Sequence, residues 1–302
     1  MKLSDLLRFL EDKGARPQKK WSQNFLIDGN ITRKILRMAK LEPHDLVVEI
    51  GPGPGALTRA LLSEGHPVIA IEKDPIFAEA LRDLKNATIF EEDILTFPIA
   101  EQLTKRLPAG TKAKVISNLP YHITSPILKR LLPLENLLSS LTLMVQKEVG
   151  ERLTAKPGSA NYSHLTLFAN FFSTPSYCFT VPPTCFYPRP KVDSAIIHLA
   201  VKKTPLPLEQ QPAFFRMTRT AFEQRRKMLR SSLKRLFPLS LLLESLSESD
   251  ISPNARPEEL SLDQFLLLFH RISMKCPDQQ AEDRDHDEKN RDPMREKDFD
   301  LI

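Results

Sequence analysis

From Leu46 onward, short β-branched runs alternate with stretches whose apolar residues recur at helical spacing. That alternation is the pattern of a parallel sheet covered by helices on both faces. Residues 47–50, 68–71, 88–90, 115–117 and 141–145 read as strands. Residues 56–63 and 75–84 read as helices, the second with Pro75 at a first helical position. Two later β runs, 177–181 and 195–201, flank the proline-rich stretch 182–190 and predict an antiparallel pair closing the sheet, with a long loop at its tip. After Lys203 the β signal stops, and Pro205, Pro207 and Pro212 mark a linker before helical segments near 213–237, 240–246 and 262–271. The expected fold is α/β with a small all-helical C-terminal domain.

Composition narrows the class of partner. The 302 residues carry 43 lysines and arginines against 38 acids, net +5, but the last 27 hold ten acids and only five basic residues. The remaining body has 38 basic and 28 acidic residues, net +10, which suits a polyanion or an anionic membrane, and the acidic end reads as a disordered tail. Three cysteines, Cys178, Cys185 and Cys276, lack the spacing of a disulfide framework or a structural metal site. No apolar run has the length of a membrane span, and Asp5, Glu11 and Asp12 near the start are unlike a signal or transit peptide. A soluble, cytoplasmic protein with no membrane role is expected.

Open α/β sheets bind ligands outside the carboxyl ends of their strands, and four such ends are informative. The first predicted strand runs into Gly51-Pro52-Gly53-Pro54-Gly55, so three of the nine glycines fall within five residues. Small residues there let a ligand approach the backbone, as they also permit a simple tight turn. The spacing is not that of a dinucleotide fingerprint, and Pro52 and Pro54 have no N–H to offer a pyrophosphate. The second strand ends in Glu72, where a carboxylate can accept both hydroxyls of a ribose. The third ends near Asp93, where one can accept from an adenine amine. Glycine turn, ribose acid and adenine acid describe a nucleoside without phosphates, and S-adenosylmethionine is the common cofactor of that kind.

The fourth end reads Ser117-Asn118-Leu119-Pro120-Tyr121. The exocyclic amine of adenine is a poor nucleophile because its lone pair is delocalised into the ring. The side-chain oxygen of Asn118 and the carbonyl of Leu119, held rigid ahead of Pro120, are placed to accept its two N–H groups, and Tyr121 offers a flat face to the base.

With these residues in view the chain resembles the ribosomal RNA adenine N6,N6-dimethyltransferases, the bacterial type acting on small-subunit (16S) rRNA. The resemblance runs from about residue 13 to 273 and includes six blocks in order: Gln23-Asn24-Phe25-Leu26, Glu49-Ile50-Gly51-Pro52-Gly53, Asn118-Leu119-Pro120-Tyr121, Gln146-Lys147-Glu148-Val149, Pro188-Arg189-Pro190-Lys191-Val192-Asp193-Ser194, and Ala221-Phe222-Glu223-Gln224-Arg225-Arg226-Lys227. It implies a Rossmann-like methyltransferase domain in which Asn24, Leu26 and Gly51 contact the methionine part of S-adenosylmethionine, Glu72 the ribose and Asp93 the adenine amine. Asn118 would serve both cofactor and target base, Leu119, Pro120 and Tyr121 would receive the base, and Phe186 would stack on its other side. The implied organisation is a basic N-terminal arm with the first motif (1–30), a methyltransferase domain (31–203), a helical RNA-binding domain (204–275) and a disordered charged tail (276–302).

Residues 216–235 hold eight basic side chains against one acid, Glu223. Arg219, Arg226, Arg230 and Lys234 would share one face of a continuous helix, a stripe suited to a phosphate backbone. Lys13, Arg16, Lys19 and Lys20 form a second basic patch beside the first motif. The expected partner is 16S rRNA in an immature small subunit, bound by a monomer that dimethylates two adjacent adenosines in a hairpin. Competing readings are an assembly factor whose binding outweighs catalysis, and a large-subunit rRNA methyltransferase; Leu119 and the long C-terminal match argue against the latter.

Overall fold

The computed structural model describes residues 1–18, 23–225 and 227–275. Among them the strands are β1 (Phe25–Leu26), β2 (Val47–Ile50), β3 (Val68–Glu72), β4 (Ala87–Glu91), β5 (Ala113–Asn118), β6 (Leu138–Gln146), β7 (Ser173–Val181), β8 (Phe186–Tyr187) and β9 (Ser194–Val201). Seven form one sheet in the order β4-β3-β2-β5-β6-β9-β7, and β1 pairs with β8 in a separate ribbon. Neighbours from β4 to β6 are parallel, whereas β9 runs antiparallel to both β6 and β7. The predicted closing pair is β7 with β9, Tyr177 facing Ile197, and β8 lies in the loop between them.

Every residue of β2 and β3 is buried, as expected of parallel strands covered on both faces, while β4 at the sheet edge is only partly covered. Helices start where the sequence supplies caps. Asp28 accepts from the amides of Asn30 and Ile31 to open Gly29–Ala39, and Asp74 accepts from Ile76 to open Pro75–Leu81. A further helix, Leu3–Asp12, packs Leu6 and Leu10 against Phe25 and Phe77.

The chain divides into two compact units. Met1–Glu151 with Phe172–Lys203 carries the sheet; Arg152–Phe171 and the described residues from Thr204 onward make the second. The second unit is helical and has an aromatic core in which Phe168, Phe171, Phe214, Phe215 and Phe269 meet at ring separations of 4.9 to 5.5 Å. No helix among the described residues is long and apolar enough to cross a membrane.

The basic stretch is not one helix, which corrects the single-face stripe. Helix Gln211–Phe222 ends, the chain turns through a Lys227 to Gln224 backbone bond, and a short helix restarts at Leu229–Leu233. Two packing demands make the break. The Leu229 amide donates to the Ala255 carbonyl, and Arg225 donates to the carbonyls of Ser159 and Ala160 while pairing with Glu258. Arg235 pairs with Glu223. Arg219 thus sits on the first helix and Arg230 and Lys234 on or beside the second, while Arg226, Lys19 and Lys20 lie outside the described residues.

The Arg225 fork ties the 159–160 backbone to the Glu258 carboxylate, so Arg225→Ala is expected to lower the melting temperature by about 2–4 °C, and Arg225→Lys to recover little because one ammonium cannot span the three acceptors. Thermal denaturation of the two variants checks this.

Candidate active site

The carboxyl ends of β2, β3 and β5, the residues that follow β4, and the segment entering β1 surround one cleft of about 910 Å³, open solvent included. Its lining includes Asn24, Gly51, Glu72, Asp93, Asn118, Leu119, Pro120 and Tyr121. The strand-end residues picked out from the sequence therefore converge.

The turn after β2 needs its glycines. Gly51 has φ +63° and Gly53 φ +52°, and a Cβ on Gly53 would lie 3.0 Å from the Phe25 ring. The turn is tied to β3 from two sides. Gly51 N–H donates to Ile71 O at 2.8 Å, and Gly53 N–H to Glu72 Oε2 at 2.9 Å. Glu72 Oε1 accepts from Asp74 N–H at 2.8 Å. Each oxygen keeps one lone pair, so the carboxylate retains the capacity to accept two neighbouring hydroxyls. Glu72 is only 6% exposed, and burial raises its pKa despite the two amides.

Asp93 is differently held. Its Oδ2 pairs with Lys73 at 2.7 Å and its Oδ1 accepts from Leu95 N–H at 2.9 Å. Burial opposes its charge, but the Lys73 ammonium and the Leu95 amide outweigh that and hold the carboxyl below its usual range. A third acid, Glu49, is buried behind the turn, where Thr58 donates to it at 2.6 Å and burial pushes its pKa up to about 8.

At the end of β5, Asn118 donates from Nδ2 to the carbonyl of Asn24 at 3.0 Å. That bond uses one N–H of the amide and orients Oδ1 as an acceptor. Leu119 N–H donates to Met144 O, which fixes the following peptide against β6. The Tyr121 phenol lies 2.6 Å from Ser194 Oγ.

Leu26 and Phe186 are not among the residues lining the cleft. They face each other across the β1–β8 ribbon at 4% and 1% exposure and enter the core beneath it. Successive strand residues point to opposite faces, so the neighbouring pair Phe25 and Tyr187 packs with the Phe77 cluster instead.

A family model for ribosomal RNA adenine dimethylase matches residues 14–274. The chain belongs to that family. Among curated relatives, the ribosomal RNA small subunit methyltransferase A of Protochlamydia amoebophila is 52% identical over 275 residues, covering 90% of this chain and 96% of the relative. The protein of the same name from Chlamydia caviae is 47% identical, with 89% and 96% covered. A dimethyladenosine transferase from Plasmodium falciparum superposes with a TM-score of 0.68 at 27% identity, covering 83% of this chain and 98% of that one. The 23S rRNA methyltransferase ErmE gives 0.64 at 27% identity, with 83% and 100% covered. This dimethylase is therefore an enzyme with a Rossmann-like fold that uses S-adenosylmethionine as methyl donor.

The cleft fits that donor: a close-approach turn whose prolines bring no N–H, a buried diol acceptor and a second acid at an adjoining strand end. Several contributors were not singled out from the sequence. Gln23 bridges Asp74 and the Gln18 amide, Lys73 pairs with Asp93, and Ser194 meets Tyr121. The Asp74-Pro75 capping signal offered a local clue to the first; the other two pairs lie 20 and 73 residues apart, beyond any local pattern.

Because Glu72 must be ionised to accept two hydroxyls, affinity for S-adenosylmethionine is expected to fall on acidification, starting at a higher pH than the ordinary glutamate value of 4.5. Glu72→Gln should weaken binding by roughly tenfold or more and flatten that pH dependence. Calorimetric titration across the acid range checks both.

Proposed function

We propose that this dimethylase transfers methyl groups from S-adenosylmethionine to N6 of two adjacent adenosines in a hairpin of small-subunit (16S) rRNA, giving N6,N6-dimethyladenosine during subunit assembly. The observation that carries the reading is the Asn118 amide, which donates from Nδ2 to Asn24 O and so turns its oxygen toward acceptance from an adenine amine. Small-subunit rather than large-subunit RNA is favoured by the names and the 52% and 47% identities of the curated relatives. The likeness to ErmE at 27% identity speaks to shared architecture and not to its RNA.

When bound, S-adenosylmethionine supplies an activated methyl group on a cationic sulfur. The protein's part is to hold the amine in line with it. Asn118 Oδ1 and the Leu119 carbonyl accept from the amine, which favours a nitrogen whose lone pair leaves the ring plane. Tyr121 supports the base from its face. Asn24 is held to Asn118 by its carbonyl, while Gly51 shapes the floor for the methionine part and Glu72 and Asp93 take the ribose and adenine. Leu26 and Phe186 support these residues from the core. The nitrogen sheds its proton to water once methylated, so no strong base is needed.

RNA phosphates are assigned to Arg219, Arg230 and Lys234 in the helical unit, with Lys19, Lys20 and Arg226 as further candidates. A monomer acting on an immature subunit in the cytoplasm completes the reading.

Incubating the protein with labelled S-adenosylmethionine and undermethylated small subunits should yield N6,N6-dimethyladenosine on nucleoside analysis; its absence would overturn the proposal. Asn118→Ala should cut the transfer rate by ~100-fold or more.

A second measurement addresses the RNA face. Replacing Arg219, Arg230 and Lys234 together with glutamine should weaken RNA binding and reduce the slope of log affinity against log salt by about 0.7–0.9 for each phosphate no longer neutralised, with cofactor affinity retained. An unchanged slope would remove these residues from the interface.

A further inference from the structure

Tyr121 is fixed at both ends. It opens the turn Tyr121–Ile123, its carbonyl accepts from Thr124 Oγ1 at 3.2 Å, and its phenol oxygen lies 2.6 Å from Ser194 Oγ. Ser194 is an unusual anchor for a cleft residue. It is 0% exposed and starts β9, where it is paired with Gln146 of β6 on one side and Val181 of β7 on the other. The preceding carbonyl, that of Asp193, accepts from Lys147 N–H at 3.0 Å. The hydroxyl that meets the phenol therefore belongs to a buried residue paired on both sides, and only one side-chain torsion separates it from the backbone.

We infer that Ser194 is a positioning residue that sets the plane of the Tyr121 ring, and that the second methyl transfer depends on this more than the first. The inference rests on the function proposed above. In each transfer the N6 lone pair forms the new C–N bond, the C–S bond breaks with its electrons left on sulfur, and a proton leaves the nitrogen to water. Before the first transfer the amine has two N–H groups, and both Asn118 Oδ1 and the Leu119 carbonyl can orient it. The monomethylated amine has one. One acceptor is then idle, and the base plane is held more by its packing against the Tyr121 face. A ring free to tilt would thus slow the second step selectively.

The test is single-turnover methylation of undermethylated small subunits by wild type, Ser194→Ala, Tyr121→Phe and the double variant, with monomethyl- and dimethyladenosine counted separately. Either single change is expected to slow the second transfer by ~10-fold or more, to slow the first by no more than about threefold, and to make monomethyladenosine accumulate. Affinity for S-adenosylmethionine should stay within about twofold of wild type, and the double variant should be no worse than Tyr121→Phe alone, since both changes remove the same hydrogen bond. Equal slowing of both transfers, an unchanged product ratio or additive losses would overturn the inference. Should Ser194→Ala fail to fold, the product ratio of Tyr121→Phe decides. A wild type that makes no methylated adenosine would instead overturn the function proposed for the cleft, and this inference with it.

Discussion

A carboxylate buried at the end of β3 organises the cleft. Placing Glu72 at 6% exposure costs solvation, and the protein offsets this with two backbone amides, one from the glycine turn and one from the start of the next helix. Those bonds are also the geometry. Gly53 N–H on one oxygen fixes the turn after β2, and Asp74 N–H on the other fixes the helix that Asp74 itself caps. Asp74 then accepts from Gln23, whose own oxygen accepts from the Gln18 amide. A chain of hydrogen bonds thus runs from the cleft floor to the segment ahead of β1, and Asn24 is carried into position beside Asn118 by it.

The same segment is held from the opposite side by β8. Phe25 and Leu26 pair with Tyr187 and Phe186, so the proline-rich loop between β7 and β9 reaches the cleft through a two-residue ribbon. Its far end returns to the sheet at Ser194, under Tyr121. One loop therefore braces both the Asn24 side and the Tyr121 side of the cleft.

How much of this was readable from the chain depends on the range of the interaction. The parallel strands announce themselves because burial on both faces demands a continuous β-branched run, and residues 47–50 match β2 to the residue. The acids and glycines at strand ends follow from where such sheets bind ligands, and Gly51, Glu72, Asp93 and Asn118 do meet. β1 and β8 are too short to carry a pattern, and with adjacent aromatics at 186 and 187 only the register of a partner about 160 residues away decides which one turns inward. The basic run failed for a related reason. Helical spacing placed Arg219, Arg230 and Lys234 on one face, but Arg225 and the Leu229 amide take distant carbonyls, and those bonds outweigh local propensity. Helix His164–Phe172 left no periodic signal because its apolar residues surround it.

The cleft is rich in acids, yet none is placed as a strong base, and this fits the chemistry better than it first suggests. Glu72 has an amide on each oxygen, Asp93 is paired with Lys73, and Glu49 lies behind the turn with its pKa at about 8, mostly neutral at pH 7. An ionised Glu49 close to Glu72 would add a further unscreened charge to one buried region; keeping it protonated removes that repulsion. In the function proposed above, the target amine meets a set of neutral acceptors with fixed directions. A base strong enough to deprotonate adenine N6 before attack would need a pKa far above that of any carboxylate, whereas the methylated ammonium loses its proton to water unaided. Precision of placement is then the quantity the site must supply, and the Asn24, Met144 and Ser194 bonds that hold residues 118–121 are where it is supplied.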